Sequence, residues 1–317
     1  MSPEAPTHVI VVLNWHGRDD TLACLRSLRE GSPEAVVLLV DNGSFDGTVE
    51  AAASEWPEIR TLQLPENLGF AGGMNRGIRH ALDLGAGVVT VLNNDTIVPA
   101  GAMRALRAAA GADVAVSPEV MYRAAPDELW FGGGTLDERD AFPHHTDPAM
   151  LMPCRDGFRQ TTLLAGCCIT ARDSVWERAG LFDERFFLNF EDSEWSLRAS
   201  ARGIRMMVAC DVRILHAVSA SFHGAAATLG TFYYVRNGLL FNRSAGGDLR
   251  SRARFVGRST RNTLRGRPVA DVLRGLLVIA WAVAADAFRR YGPAPAALQR
   301  RAGRWNAGRA QSSLRER

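Results

Sequence analysis

A chain of 317 residues with 47% apolar content can bury a large core, and its charged fraction of 22% excludes a disordered or coiled-coil polymer. No lysine occurs, and charge is uneven: Asp248 to Arg317 holds sixteen arginines against four acidic residues, while the whole chain carries only +3. Residues 1–247 are therefore net acidic, and the basic tail suits an anionic membrane, a nucleic acid or an acidic subunit. Five cysteines without C-x-x-C spacing, two of them adjacent in an apolar run (Cys167 and Cys168), fit a reducing cytoplasm. The N-terminus does not read as a signal peptide, and the longest apolar run, Leu276 to Ala285, is short for a bilayer span.

Val9 to Leu13 is a continuous apolar run, the pattern of a strand buried on both faces. Leu22, Leu25 and Leu28 form a helical stripe that stops at Gly31-Ser32-Pro33. Val36 to Val40 is a second buried strand, closing on Asp41-Asn42-Gly43-Ser44. A short helix from Asp46 to before Pro57 and a weaker strand from Ile59 to Leu64 follow. Asn67-Leu68-Gly69-Phe70-Ala71-Gly72-Gly73 reads as a glycine-rich loop leading into a helix with Met74, Ile78, Ala81 and Leu82 on one face. Val88 to Leu92 is a fourth buried strand, ending at Asn93-Asn94-Asp95. Strands alternating with helices predict an α/β fold with a mainly parallel sheet, whose ligands bind beyond the carboxyl ends of the strands. Those ends carry Asn14, Asp41, Asn42 and Asp95.

Residues 117–165, with Gly132-Gly133-Gly134 and His144-His145, read as loops with short strands. A strand over Leu163–Thr170, a helix from Asp173 to Ala179 and a loop through Phe187 come next. Glu191-Asp192 opens a helix that ends at Gly203. Met206–Ala209 is another strand, and His216 lies just past Val212–Leu215. From about residue 245 the chain is Arg- and Ala-rich and helical. Val272, Leu276, Ile279 and Val283 recur at helical spacing, which suits a helix packed on the body or one lying on an anionic membrane.

Asp95 at a strand end suits a hard divalent cation shared with substrate phosphates, and equally a turn that it opens with Asn94. Gly69–Gly73 offers free backbone N–H groups to an anion or serves as a plain connection; it is neither a G-x-G-x-x-G nor a Walker A sequence. Glu191 and Asp192 suit a base for a substrate hydroxyl, but acids at this place more often mark the start of a helix, which Glu194 also favours. His216 is a metal-ligand candidate or a hydrogen-bonded strand end, with His223 its rival; His144-His145 is a further candidate for metal, solvent or acceptor.

Taken in order, these blocks resemble the inverting glycosyltransferases of family 2, with the GT-A fold, in their rhamnosyltransferase-like branch. The likeness runs from Val11-Val12-Leu13-Asn14-Trp15 through Val40–Gly47, Glu66–Asn75 and Leu92–Thr96. It continues through Gly180–Phe187, Glu191–Trp195 and His216 to Tyr234-Val235-Arg236-Asn237, covering residues 7–243. It implies a GT-A domain over 1–245, with a nucleotide half at 7–116 and an acceptor and catalytic half at 117–245, and a basic helical extension over 246–317. Asn14, Asp41, Asn42, Asn67, Gly69, Gly72, Gly73, Asn75 and Asn94 fall in its donor-binding blocks. Asp95 falls on the metal-binding acid of a degenerate Asp-x-Asp motif, with His216 a second ligand for Mg²⁺ or Mn²⁺. Asp192 falls on the general base, with Glu191 the alternative.

Two motifs depart from the family pattern: Asn93 replaces an aspartate, and the usual Glu-Asp-x-Asp-Leu reads Glu191-Asp192-Ser193-Glu194-Trp195. The activity implied is a metal-assisted single displacement from a dTDP- or UDP-sugar, with rhamnose indicated by the branch alone. The acceptor is a glycan, a lipid-linked sugar or a small natural product. The expected location is cytoplasmic, with peripheral contact to the inner membrane face through the extension. A sugar-1-phosphate nucleotidyltransferase is the rival enzyme, but Asn14–Arg18 is a poor triphosphate loop. A non-enzymatic binding protein is the third reading, with nucleic acid disfavoured by the sparse aromatics of the tail.

Overall fold

The computed structural model describes residues 8–137, 139–218, 225–264 and 269–315. The chain forms two compact units. The first comprises Met1–Leu136, Pro143–Asp183 and Glu191–Val218; the second comprises Asp137–Phe142, Glu184–Phe190 and Ser219–Arg317.

In the first unit β1 (His8–Asn14), α1 (Arg18–Gly31), β2 (Val36–Asp41), α2 (Thr48–Glu55), β3 (Arg60–Gln63), α3 (Gly69–Asp83) and β4 (Val88–Asn93) alternate as the sequence predicts. The strands lie parallel in the order β3-β2-β1-β4. Register pairs Asn14 with Asp41 and Leu13 with Asn93, so three polar strand ends meet at one sheet edge. Alternate residues serve opposite faces. Ile10, Val12, Val37 and Leu39 pack with α1, α2 and α4 (Ala102–Ala109). Val9, Val11, Leu38 and Val40 pack with α3, α5 (Asp173–Ala179) and α6 (Glu191–Ser200).

Beyond β4 the sheet becomes mixed. The strands β5 (Thr96–Ile97), β6 (Val114–Tyr122), β7 (Ala125–Phe131), β8 (Gly134–Leu136), β9 (Pro143–His145), β10 (Phe158–Thr161), β11 (Cys168–Arg172) and β12 (Arg205–His216) complete the unit. β11 runs antiparallel to β4, then come β6, β12 and β10. The sequence reading left β6 among loops, yet it is an inner strand. Pro118 and Glu119 interrupt its apolar run, and the partner strand slips register there, from Ala209 opposite Pro118 to Arg213 opposite Glu119. The two short strands expected around residues 206–215 are therefore one strand, β12, with a bulge. That bulge carries Cys210, which is disulfide-bonded to Cys154; the odd cysteine count gave no sign of this pairing, and Cys24, Cys167 and Cys168 are the buried free thiols. His144 and His145 lie in a two-stranded ribbon of β8 and β9 rather than in an irregular loop.

The predicted glycine-rich loop is also different, because α3 begins at Gly69 and so absorbs it. A Cβ at Gly73 would lie 2.7 Å from Leu13 Cδ1, and one at Gly77 would strike Val11 and Val40. These glycines let the helix backbone rest against β1 and β2.

The second unit holds α7 (Ala225–Ser244), α8 (Leu249–Leu264), α9 (Val269–Ala287) and α10 (Ala296–Arg315). Gly246 and Gly247, where the sequence reading divides the chain, join α7 to α8 within it. Phe190 and Tyr234 pack with Phe142, which stacks on Phe255 at 4.7 Å. Asn189 (φ 69°) and Phe190 (φ 74°) are both left-handed, a conformation costly for residues with a Cβ. Asn237 donates to the Leu188 carbonyl at 2.7 Å and holds that loop from α7. No helix among the described residues is long and apolar enough to cross a membrane.

Gly77→Ala is expected to destabilise the protein by about 1–3 kcal/mol through overpacking against β1, read as a lower urea midpoint. A second prediction concerns His8, which pairs with Thr90 Oγ1 at 2.9 Å. Burial lowers its pKa from 6.5 to about 4. The unfolded chain takes up this proton below about pH 6.5 and the native chain only near pH 4, so stability falls as pH drops across that window, by up to roughly 3 kcal/mol. His8→Gln should flatten the urea midpoint between pH 6.5 and 4.

Candidate active site

The nucleotide end of the site is built on Asn14. Its side-chain N–H donates to Asp41 Oδ1 at 3.0 Å and to Ser44 Oγ at 3.0 Å, while its carbonyl oxygen accepts from Thr21 Oγ1 at 2.9 Å. Asn94 extends this chain by donating to Thr21 at 2.8 Å. Asp41 is 1% exposed. Burial pushes its pKa up, but donors from Ser44, Gln63, the Phe45 N–H and Asn14 outweigh that and hold it below the usual carboxylate value. The carboxylate therefore stays charged inside the fold, with the exposed Gln63 beside its second oxygen.

Asn42 donates to Asn67 Oδ1 at 3.1 Å and to the Gly69 carbonyl at 3.0 Å, and accepts from Leu68 N–H. Gly43 has φ +73°, and a Cβ there would come within 2.5 Å of the Glu66 carbonyl carbon, so only glycine permits this crossing of two loops. Asn14, Asp41, Asn42, Asn67, Gly69 and Asn94 thus belong to one connected edge. Gly72 and Gly73 are buried in α3, and Asn75 clasps both the N–H and the carbonyl of Phe182 at 3.0 and 2.8 Å. Those three positions shape the scaffold around the edge.

At the end of β4, Asp95 Oδ1 lies 3.0 Å from His216 Nε2, because β5 and β12 pair Thr96 with His216. Two ligand atoms about 2.1 Å from a cation and at right angles to it stand about 3.0 Å apart, so the pair suits neighbouring positions around Mg²⁺ or Mn²⁺. Asn93 Oδ1 and His216 Nδ1 are buried without a hydrogen-bond partner. A cation sharing its remaining positions with phosphate oxygens and water fits this donor set. His223 lies outside the described residues.

Three carboxylates open α6, and the structure separates their environments. Asp192 Oδ2 accepts from Gly166 N–H at 2.8 Å, and Oδ1 accepts from Ser193 N–H at 2.6 Å. Glu191 is 6% exposed, and one oxygen has no partner. Burial first, then the charge of Asp192, raises its pKa well above the usual value, which keeps it protonated. Glu194 is bound by both oxygens to Arg198, each at 2.9 Å, and that arginine also holds the Leu181 carbonyl. Of the three, Asp192 combines partial exposure with freedom from a basic partner among the described residues.

The two chemical groups converge through the turn that precedes β11. Asn93 N–H donates to the Cys167 carbonyl at 2.9 Å, and the adjacent Gly166 holds Asp192. Trp130 was not singled out by sequence, whereas His145 was a candidate for metal, solvent or acceptor. The Trp130 ring meets His216 edge-on at 4.7 Å and His145 at 4.6 Å. His145 donates from Nδ1 to the Trp130 carbonyl at 2.9 Å, and burial lowers its pKa, leaving Nε2 as an acceptor. A histidine doublet in sequence was the available signal; its position beside His216 depends on pairing β8 with β9.

A family model described as glycosyl transferase family 2 matches residues 8–169. The N-acetylglucosaminyl-diphospho-decaprenol L-rhamnosyltransferase of Mycobacterium tuberculosis is 28% identical over 208 residues, 57% of this chain and 66% of the relative. The dTDP-rhamnosyl transferase RfbF of Shigella flexneri is 21% identical, over 65% of this chain and 70% of its own. The chain thus spans about two thirds of the length of these relatives. Among solved structures, the mannosyltransferase PcManGT from Pyrobaculum calidifontis, in complex with GDP-Man and Mn²⁺, is similar in fold with a TM-score of 0.51 at 16% identity, covering 91% of this chain and 89% of that one. GalNAc-T7 with UDP, GalNAc and Mn²⁺ gives a TM-score of 0.57 at 13% identity, over 84% of this chain and 59% of that one. The sheet is that of the GT-A glycosyltransferases, and with just over half of its length matched by the family model, the chain belongs to glycosyl transferase family 2.

Proposed function

We propose that the protein is an inverting glycosyltransferase that moves a sugar from a dTDP- or UDP-linked donor to an acceptor hydroxyl. The observation that carries this reading is the meeting of the Asp95–His216 pair and Asp192 at one strand edge, joined through Cys167 and Gly166. Asp41, with Asn14 and Asn42 behind it, is assigned to the nucleotide. Asp95 and His216 would hold a divalent cation, which neutralises charge on the departing diphosphate. Asp192 takes the proton of the acceptor hydroxyl. The new bond forms from that oxygen to the anomeric carbon as the bond to the diphosphate breaks, with the electron pair leaving on the nucleotide. A single in-line displacement inverts the configuration.

The relatives named for rhamnosyl transfer support L-rhamnose as the donor sugar, and the name of the mycobacterial relative supports a sugar carried on a lipid diphosphate as acceptor. Glu191 supplies a neutral, buried neighbour, and Glu194 locks α6 to the preceding turn through Arg198.

The test is release of nucleoside diphosphate from dTDP-, UDP- and GDP-sugars, with a short-chain N-acetylglucosaminyl-diphospho-prenol as acceptor, in Mn²⁺, Mg²⁺ or EDTA. Metal-dependent turnover of one donor is expected, abolished in Asp95→Ala. Donor binding to the wild type, read by calorimetry, must accompany it; binding of no donor overturns the reading, and pyrophosphate release from a nucleoside triphosphate assigns the rival chemistry. Asp192→Asn should lower kcat by about 10²–10⁴ with donor affinity retained, whereas Glu191→Gln should stay within about tenfold of wild type. Native Glu191 keeps a proton that the unfolded chain releases above about pH 4.5, so its contribution to stability shrinks as pH rises from there toward its raised native value. Glu191→Gln should therefore gain melting temperature relative to wild type at pH 8 compared with pH 5.

A further inference from the structure

Surface helices turn a polar face to water, and α9 does the reverse. Val269, Leu273 and Leu277 are 77, 63 and 38% exposed, and Phe288, just past the helix end, is 73% exposed. Ala280 and Ala284 are exposed between them. Steps of three and four residues place these six side chains on one stripe running the length of the helix. The opposite side, with Val278, Ile279, Ala282 and Ala285, is buried in the second unit. Apolar residues on both the buried and the exposed side of a helix suit a core or lipid, yet α9, which also carries Asp271, Arg274 and Asp286, is not long and apolar enough to cross a bilayer.

Its neighbours carry the complementary signal. α8 packs against α9, and its sixteen residues include five arginines and no acid. α10 is tied to α9 by Arg301 over the Trp281 ring at 5.6 Å and Arg274 over the Trp305 ring at 5.9 Å. Its twenty residues also hold five arginines and no acid. Arg289 and Arg290 are exposed beside Phe288 at the end of the stripe.

We infer that the exposed stripe of α9 lies in the interfacial layer of an anionic membrane, with exposed arginines of α8 and α10 such as Arg250, Arg261, Arg300 and Arg304 at the headgroups. An apolar face flanked by arginine is the composition of a helix that rests in the membrane plane. A second copy is the poorer occupant, because a twofold pairing of α9 faces would bring the basic helices of both copies together. Nucleic acid would use the arginines and leave the apolar stripe in water. The inference stands apart from the transfer chemistry, since vesicle binding is measured without donor or acceptor.

The experiment is flotation of the full chain with vesicles of phosphatidylcholine alone or with 30% phosphatidylglycerol added, at low and high salt. Binding to the anionic vesicles is expected to exceed binding to neutral ones by about tenfold or more and to weaken with salt. Leu273→Glu/Leu277→Glu, altered only at exposed positions, should lose most of that binding while keeping its circular dichroism and donor affinity. Arg250→Gln/Arg261→Gln should reduce binding to anionic vesicles alone. Equal binding to both vesicle types, or undiminished binding by the Leu273→Glu/Leu277→Glu variant, overturns the inference. So does a dimer in light scattering that this variant dissociates, or salt-sensitive RNA binding without vesicle binding.

Discussion

Asn14 is fully buried at the end of β1, where an amide left without partners would cost about 1–3 kcal/mol. Its side chain instead joins Asp41 and Ser44 on one side and Thr21 on the other, and Thr21 passes the chain on to Asn94. The ends of β1, β2 and β4 are therefore set relative to one another by one amide. It is one of four donors that hold the charge on Asp41, and through Thr21 it reaches Asn94 in the segment after β4. Sheet register delivers these residues to one edge, and the polar chain fixes how they stand there.

The parallel half of the fold was legible because strands buried on both faces write themselves as unbroken apolar runs. Val9–Leu13, Val36–Val40 and Val88–Leu92 are such runs, and the polar residues that end them form the candidate site. β6 was hidden because Pro118 and Glu119 sit in its middle, and only the bulge in β12 makes room for them. Gly69–Gly73 looked like a loop because glycine weakens isolated helices; the need for close helix-to-sheet contact, which justifies it, is a tertiary matter. The Cys154–Cys210 bridge joins residues 56 apart with no spacing rule to announce it.

The order of motifs pointed to the candidate helix, and the resemblance alone put the base at Asp192 with Glu191 the alternative. Glu191, Asp192 and Glu194 are equivalent on paper as acids at a helix start. Burial neutralises the first, a backbone N–H of Gly166 fixes the second, and Arg198 occupies the third. The departure from aspartate at residue 194 has a structural use, since the longer glutamate reaches Arg198 one turn along the helix. Trp130 lay beyond sequence reasoning and the place of His145 beside it was hidden, because strands β7 and β9 must fold before Trp130 meets both His145 and His216.

Two left-handed residues, Asn189 and Phe190, come immediately before Glu191 and Asp192, and their loop is held by Asn237 from a helix synthesised later. A nascent chain that has emerged only as far as Asp192 lacks that support. Strands β1 to β4 by then have one another and β11 as neighbours, whereas the restraint on the Leu188 carbonyl waits for α7. Translation therefore supplies the residues of the strand ends before the one that restrains Leu188, so an interrupted chain would carry the strand ends without that restraint.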